Sequence, residues 1–316
     1  MMSLKKDGKK TTRQEMNKAI QKEITDEKRH EKRKKWIIFS LKIMFTIIVL
    51  MFSFYFYTMH IETKRLMVRE TRIINELIPD SFRSTKIVQF SDLHYGTTVS
   101  LKELEYLVSL INSRNPDIII FTGNLIDIDY SIDIEEQEEV ISILKNLEST
   151  LGKYAVSGSE DEDNQFQTIL NQSGFKILNN DYELIYNHDS SPILLVGLSS
   201  LLKENRDINS AFSYFKNEYN NTDIFTILMM NETDGLTDIL NSYPVDLVLA
   251  GHSRNGQIRI PGLPILRRVD GSREFADRFY DVNGTQIFVS SGIGTKDPGF
   301  RFFARPSINF FRLSSS

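Results

Sequence analysis

The chain has 316 residues, 41% of them hydrophobic, with 38 Lys and Arg against 42 Asp and Glu and no cysteine. The hydrophobic share supports a sizeable core and excludes wholesale disorder. A formal charge of −4 and a pI near 5.8 argue against a nucleic-acid partner. Zero cysteines exclude disulfides, thiolate metal sites and a cysteine nucleophile.

The charge is unevenly spread. Residues 1–35 carry 13 basic and 6 acidic residues, while the remaining 25 basic and 36 acidic residues leave a net −11. From Trp36 to Tyr57 the chain is apolar except for Ser40, Lys42, Thr46 and Ser53. Twenty-two helical residues rise about 33 Å, enough to cross a hydrocarbon core of about 30 Å. Lys42 lies near the basic end, where its stem reaches the headgroups. The sequence Thr58-Met59-His60-Ile61-Glu62 lacks the small residues of a cleavage site, so the span reads as an uncleaved anchor. Lys32 to Lys35 are four consecutive cations just before it, which predicts a cytoplasmic N-terminus and an outward-facing remainder. The expected organisation is a basic arm (1–35, disordered or a polar helix), an anchor (36–57), a short linker (58–65) and one folded domain (66–316).

Beyond the span, short apolar runs end in polar or glycine-containing turns. Strands are predicted at Arg72–Leu77, Lys86–Phe90, Asp117–Phe121, Tyr154–Val156, Ile193–Val196, Ile224–Met229, Asp246–Ala250, Gln286–Val289 and Ile308–Leu313. Helical spacing falls at Leu101–Asn112, Gln137–Leu147, Asp163–Asn171 and Asn209–Asn217. Strands alternating with helices indicate an α/β domain, and continuous apolar runs such as Asp117–Phe121 indicate strands covered on both faces.

Polar clusters follow the carboxyl ends of the strands, where open α/β sheets place their ligands. They are Asp92 with His94, Gly123-Asn124 with Asp127, Gly158-Ser159-Glu160-Asp161, Asn231 with Glu232, Thr233 and Asp234, and Gly251-His252-Ser253-Arg254-Asn255-Gly256-Gln257. A Ser290–Gly294 turn and a Pro306-led final strand close the chain. In this order and register the sequence resembles the calcineurin-like metallophosphoesterases, specifically their membrane-associated bacterial branch, over residues 66–316.

The resemblance implies two facing mixed β-sheets flanked by helices, and hydrolysis of phosphate esters by a pair of metal ions. Two dications about 3.5 Å apart repel by roughly 19 kcal/mol at an effective dielectric of about 20, so anionic ligands must offset them. Asp92, His94 and His252 are the retained ligands. The other positions are changed: the bridging aspartate is Asn124, and the second-metal ligands are Ser159 and Asn231. The histidine of leaving-group chemistry is Glu160, and the last histidine is Arg254. The family pattern needs five histidines here; of the chain's five, only His94 and His252 fall on it, with His30, His60 and His188 elsewhere. The expectation is a largely dismantled centre on a membrane-anchored protein that binds a phosphate-containing ligand or a protein partner. Arg254, expected beside Asp92, would supply positive charge and an anion site. The rival is an active phosphoesterase with one metal (Mn, Fe, Zn or Mg) or a rearranged oxygen-rich site recruiting Glu160 and Glu232.

Overall fold

The computed structural model describes residues 13–203, 205–216, 223–265 and 268–315. Two units separate between Phe56 and Tyr57. The first is one helix, α1 (Arg13–Phe56), continuous from the basic segment through the apolar one. The part of the basic arm before Arg13 lies outside the described residues. The helix has no buried residue and carries the one stretch, among the described residues, long and apolar enough to cross a membrane.

The second unit opens with helical turns at Tyr57–Ile61 and Glu62–Lys64 that bury Thr58, Glu62 and Thr63, so the segment read as a linker is folded. Two six-stranded mixed sheets follow. The first comprises β1 (Met67–Ile74), β2 (Lys86–Phe90), β3 (Ile118–Thr122), β4 (Gly152–Val156), β5 (Lys176–Ile177) and β12 (Ser307–Ser314), ordered β1-β12-β2-β3-β4-β5. The second comprises β6 (Asp181–Ile185), β7 (Ile193–Gly197), β8 (Thr226–Met230), β9 (Leu247–Ala250), β10 (Phe279–Val282) and β11 (Thr285–Val289), ordered β10-β11-β9-β8-β7-β6. In each sheet four neighbouring strands run parallel, and the antiparallel pairs are β12 with β2, β10 with β11 and β6 with β7.

Alternation along the central strands builds a core on each face. Ile118 and Ile120 of β3 share the core between the sheets with Leu247 and Leu249 of β9. Ile119 and Phe121 face the other way, against α2 (Leu101–Asn112), α3 (Ile134–Lys145) and α4 (Asp163–Gln172). Val248 and Ala250 pack outward against α5 (Ile208–Ala211) and α6 (Leu236–Ser242). The amphipathic helices thus cover the outer faces, and the strands' carboxyl ends converge on one rim.

Several expectations need correction. The first strand begins at Met67, five residues before its expected start. The helix expected at Asn209–Asn217 is a four-residue turn of α-helix followed by a 3₁₀ turn at Ser213–Lys216, and Asn217 lies outside the described residues. Strands β5, β6 and β10 and helix α6 had no clear counterpart in the periodicity.

Candidate functional site

The loops that leave β2, β3, β4, β8 and β9 bring the sequence-selected residues together. Asp92, His94, Asn124 and Asn231 are fully buried, and His252 and Arg254 nearly so. The backbone there is unusual: Asp92, His94, Asn124, His252 and Arg254 all have positive φ, between 43° and 65°. Side-chain-bearing residues adopt this region at a cost of about 1–2 kcal/mol each, so the loops hold these positions by tight surroundings. Gly123, at φ +85°, shows how tight: a Cβ there would lie 2.5 Å from the Gly158 nitrogen.

Asp92 has no free oxygen. Oδ1 accepts from the Asn124 amide at 3.0 Å, while Oδ2 accepts from the Ser91 hydroxyl at 2.5 Å and the His252 backbone N–H at 2.9 Å. The Asn124 amide also donates to Asn231 Oδ1 at 3.2 Å, and Asn231 donates to the Thr122 carbonyl. At the position of a bridging carboxylate there is therefore a donor, aimed at Asp92.

Arg254 Nη1 lies 3.0 Å from His94 Nε2 and 3.9 Å from Asp92 Oδ1. A guanidinium only donates, so this contact makes Nε2 the acceptor and leaves the proton of neutral His94 on Nδ1. Nδ1 in turn lies 3.4 Å from both Asp127 and Glu160. Burial opposes charge on His94, but the two carboxylates outweigh it and raise the pKa above the ordinary histidine value. The contact with His94 holds Asp127 well below the usual carboxylate range. Burial pushes Glu160 up, yet His94 and Lys296 bring it down to about 2.

Lys296 completes the arrangement. Its ammonium lies 2.9 Å from Glu160, 3.3 Å from Asp129 and 3.4 Å from Asp127. Asp92, Arg254, His94, the Asp127–Glu160 pair and Lys296 thus form a continuous chain, with an anion–cation pair on either side of the His94 imidazole. Arg301, fully buried, donates to the carbonyls of Ala304 and Gly294 beside this chain. Burial and the neighbouring Arg254 lower its pKa to about 9.

Other acidic candidates are structural. Glu232 is buried and accepts from the Ser200 hydroxyl, the Leu201 N–H and Arg206, so it is not free to recruit a cation with Glu160. Asp161 accepts backbone N–H groups of Asn124, Leu125 and Gly158, tying two loops together, and its burial raises the pKa to about 6. His252 is oriented by a 2.7 Å contact between Nε2 and the Asp270 carbonyl, with Nδ1 buried and unpartnered. Ser159 makes no side-chain contact that bears on the cluster.

A family model described as calcineurin-like phosphoesterase matches residues 85–254, the segment from the lead of β2 to Arg254. The chain belongs to that family, as its two mixed sheets with a polar rim already indicate. It is 31% identical over 267 residues to the uncharacterized metallophosphoesterase YkuE of Bacillus subtilis (strain 168), covering 83% of this chain and 90% of that one. It is 24% identical over 256 residues to a transmembrane protein with metallophosphoesterase domain from Danio rerio, covering 76% of this chain and 56% of that one. It is 24% identical over 247 residues to the phosphodiesterase YaeI of Escherichia coli (strain K12), covering 74% and 84%.

The family chemistry uses divalent metal. The two-metal arrangement does not fit. Asp92 already accepts three hydrogen bonds, His94 Nε2 faces a cation, and the shared bridging position presents an amide. A different set, His94, Asp127 and Glu160, brings three ligand-capable atoms within 4.8 Å of one another. It needs the Nδ1 lone pair, which neutral His94 offers only when Arg254 releases Nε2.

Proposed function

We propose that this chain is a single-pass membrane protein whose calcineurin-like domain faces outward and binds a phosphate-bearing ligand or a protein partner without metal-pair hydrolysis. The observation that carries the reading is the Arg254 guanidinium 3.0 Å from His94 Nε2. It supplies fixed positive charge where a metal ligand would be needed. Asn124 removes the bridging anion that a pair of dications requires. The orientation rests on Lys32–Lys35 ahead of the apolar segment, and the net −11 of residues 36–316 speaks against a nucleic-acid ligand. The full chain, purified in detergent, is expected to retain well under one equivalent of Mn, Fe or Zn. It should hydrolyse a generic phosphodiester no faster than a His94→Ala control. Two tightly held metals, with turnover abolished by that substitution, would overturn the reading.

A second reading keeps one divalent ion at His94, Asp127 and Glu160. Favouring it, His94 Nδ1 and Asp127 Oδ2 are buried without a good hydrogen-bond partner. Lys296 and Arg254 oppose it, one by occupying the carboxylates and the other by fixing the tautomer. Metal-dependent turnover by the wild type that is lost in Asp127→Asn and retained in Asp92→Asn would select this reading.

A further inference from the structure

A cavity of about 840 Å³ lies away from the cleft, between the edge strand β1 of the first sheet and the edge hairpin β10–β11 of the second. Of the motif residues only Asn255 lines it. Its volume falls within the range of small-molecule sites. Three arginines enter it: Arg69 from β1, Arg259, and Arg278 from the lead of β10. Two carboxylates also line it, and each is already paired, Asp277 with Arg259 and Glu70 with Arg312. Arg69 donates to the Ser307 hydroxyl at 3.1 Å, and among the described residues neither it nor Arg278 has a carboxylate within ion-pair distance. The two guanidiniums repel each other: burial and Arg278 together bring the Arg69 pKa down to about 10. The half-buried Arg69 thus faces the exposed Arg278, and neither has a carboxylate at ion-pair distance to offset the repulsion.

The rim adds the opposite property. Phe279 and Phe303 are 51% and 59% exposed, more than any other described phenylalanine outside α1, and Ile260 beside them is 42% exposed. Two guanidiniums on the wall without a carboxylate partner, with exposed apolar side chains beside them, match a molecule with an anionic head and an apolar tail. Such molecules are at hand: ten residues separate the end of the membrane-length helix from β1, whose residues Met67 to Thr71 line the cavity. That tether keeps lipid at high local concentration.

We propose that this cavity binds the headgroup of an anionic lipid, with Arg69 and Arg278 on the phosphate and Phe279, Phe303 and Ile260 against the proximal acyl carbons. It is a non-catalytic binding site, separate from the Arg254 cleft, and it stands whether or not that cleft binds metal. A polybasic contact with an anionic bilayer would need no cavity; here the guanidiniums form part of a concave wall, so a saturable site is expected.

The test uses the full chain reconstituted in nanodiscs of zwitterionic lipid. Monomeric dihexanoyl-phosphatidylglycerol is titrated by calorimetry, alongside dihexanoyl-phosphatidylcholine and glycerol phosphate. Saturable binding of the phosphatidylglycerol, at least tenfold tighter than either control, is expected. Arg278→Gln, an exposed position where folding is not at risk, should weaken it about tenfold. Phe303→Ser should weaken the lipid and leave glycerol phosphate unchanged. Equal affinity for phosphatidylglycerol and phosphatidylcholine, or no effect of Arg278→Gln, would overturn the proposal. Glycerol phosphate binding as tightly as the lipid would also overturn it, marking a site for free phosphate esters.

Discussion

Nη1 of Arg254 sits 3.0 Å from Nε2 of His94, and the same nitrogen is 3.9 Å from Oδ1 of Asp92. One guanidinium therefore spans the two side chains that the family would commit to its first metal. Gly292 makes room for it: at φ +66°, a Cβ there would lie 2.9 Å from the Asp92 Cβ and 3.1 Å from the Arg254 Cγ. The pair is buried, so its members depend on each other more than a surface ion pair does.

Arg254→Ala should therefore destabilise the domain by about 3 kcal/mol, because it leaves Asp92 uncompensated inside the protein. Arg301 remains nearby and will temper the loss. Adding Asp92→Asn should recover part of it, since the charge that needed a partner is gone. Thermal unfolding of the wild type, both single variants and the double variant measures the coupling. Additive losses would mean that Arg254 and Asp92 do not interact energetically.

A second prediction concerns pH. Glu103 accepts from the Ser100 backbone N–H at 3.2 Å at the start of α2 and pairs with Lys64 at 3.0 Å, fastening the turns after the apolar helix to the domain. Burial acts to raise its pKa, but the Ser100 and Lys64 contacts bring it down to about 2. A carboxyl depressed on folding contributes stability that is present above its unfolded pKa and is lost as pH falls through the folded value. The melting temperature of Glu103→Gln should thus lie below that of the wild type at pH 7. The gap should narrow between about pH 4.5 and pH 2. A gap that is constant over that range would assign the effect to packing alone.

Much of this arrangement was legible in the sequence, and what escaped has physical causes. Strands β3, β8 and β9 are buried on both faces and announce themselves as continuous apolar runs. Their carboxyl ends then locate Asn124, Asn231 and His252. Edge strands give weaker signals. In β1 only Ile73 is buried, so Arg69, Glu70 and Arg72 obscure its start; β6 and β10 are half-exposed for the same reason. Lys296 and Arg301 were missed because nothing in spacing distinguishes a lysine in a loop from a solvated one. Arg301 had a weak marker, since it stands among Phe300, Phe302 and Phe303, where an exposed arginine would be unusual. Asp127 was read as part of a motif, but its pairing with His94 and Lys296 depends on the loop carrying Lys296, far away in sequence.

Topology is open to a direct check. With four cations ahead of the apolar segment, protease added to intact, wall-stripped cells should digest residues 58–316 and spare the described part of the basic segment. An epitope placed after Ser315 reports the first and one placed near Arg13 the second. Protection of the domain would reverse the orientation and place the cleft in the cytoplasm.

The last prediction concerns whether the loops still hold the family's geometry. Asp92, His94 and His252 keep positive φ and Gly123 packs closely on Gly158, so the backbone is held at positions whose side chains have not changed. Asn124→Asp alone would set a second buried carboxylate beside Asp92, where Oδ1 now accepts a 3.0 Å hydrogen bond from the amide. With no terminal ligands on either side, like-charge repulsion should lower the melting temperature at pH 7, and no metal should be retained. The combination of Asn124→Asp, Ser159→Asn, Glu160→His, Asn231→His and Arg254→His removes the guanidinium, frees His94 Nε2 and restores donors to both positions. It should bind at least one equivalent of Mn or Zn, read by elemental analysis after gel filtration, and its melting temperature should rise with added metal. Asn231 is the demanding position, because a Cβ on Gly123, Gly158 or Gly251 would lie within 2.9 Å of its side-chain atoms, leaving little space for an imidazole. If the five-fold variant folds and binds nothing, reverting Asn231 alone separates the two causes. Metal binding regained on reversion would locate the obstruction there, whereas none would mean that the loops no longer hold the ligand positions in register.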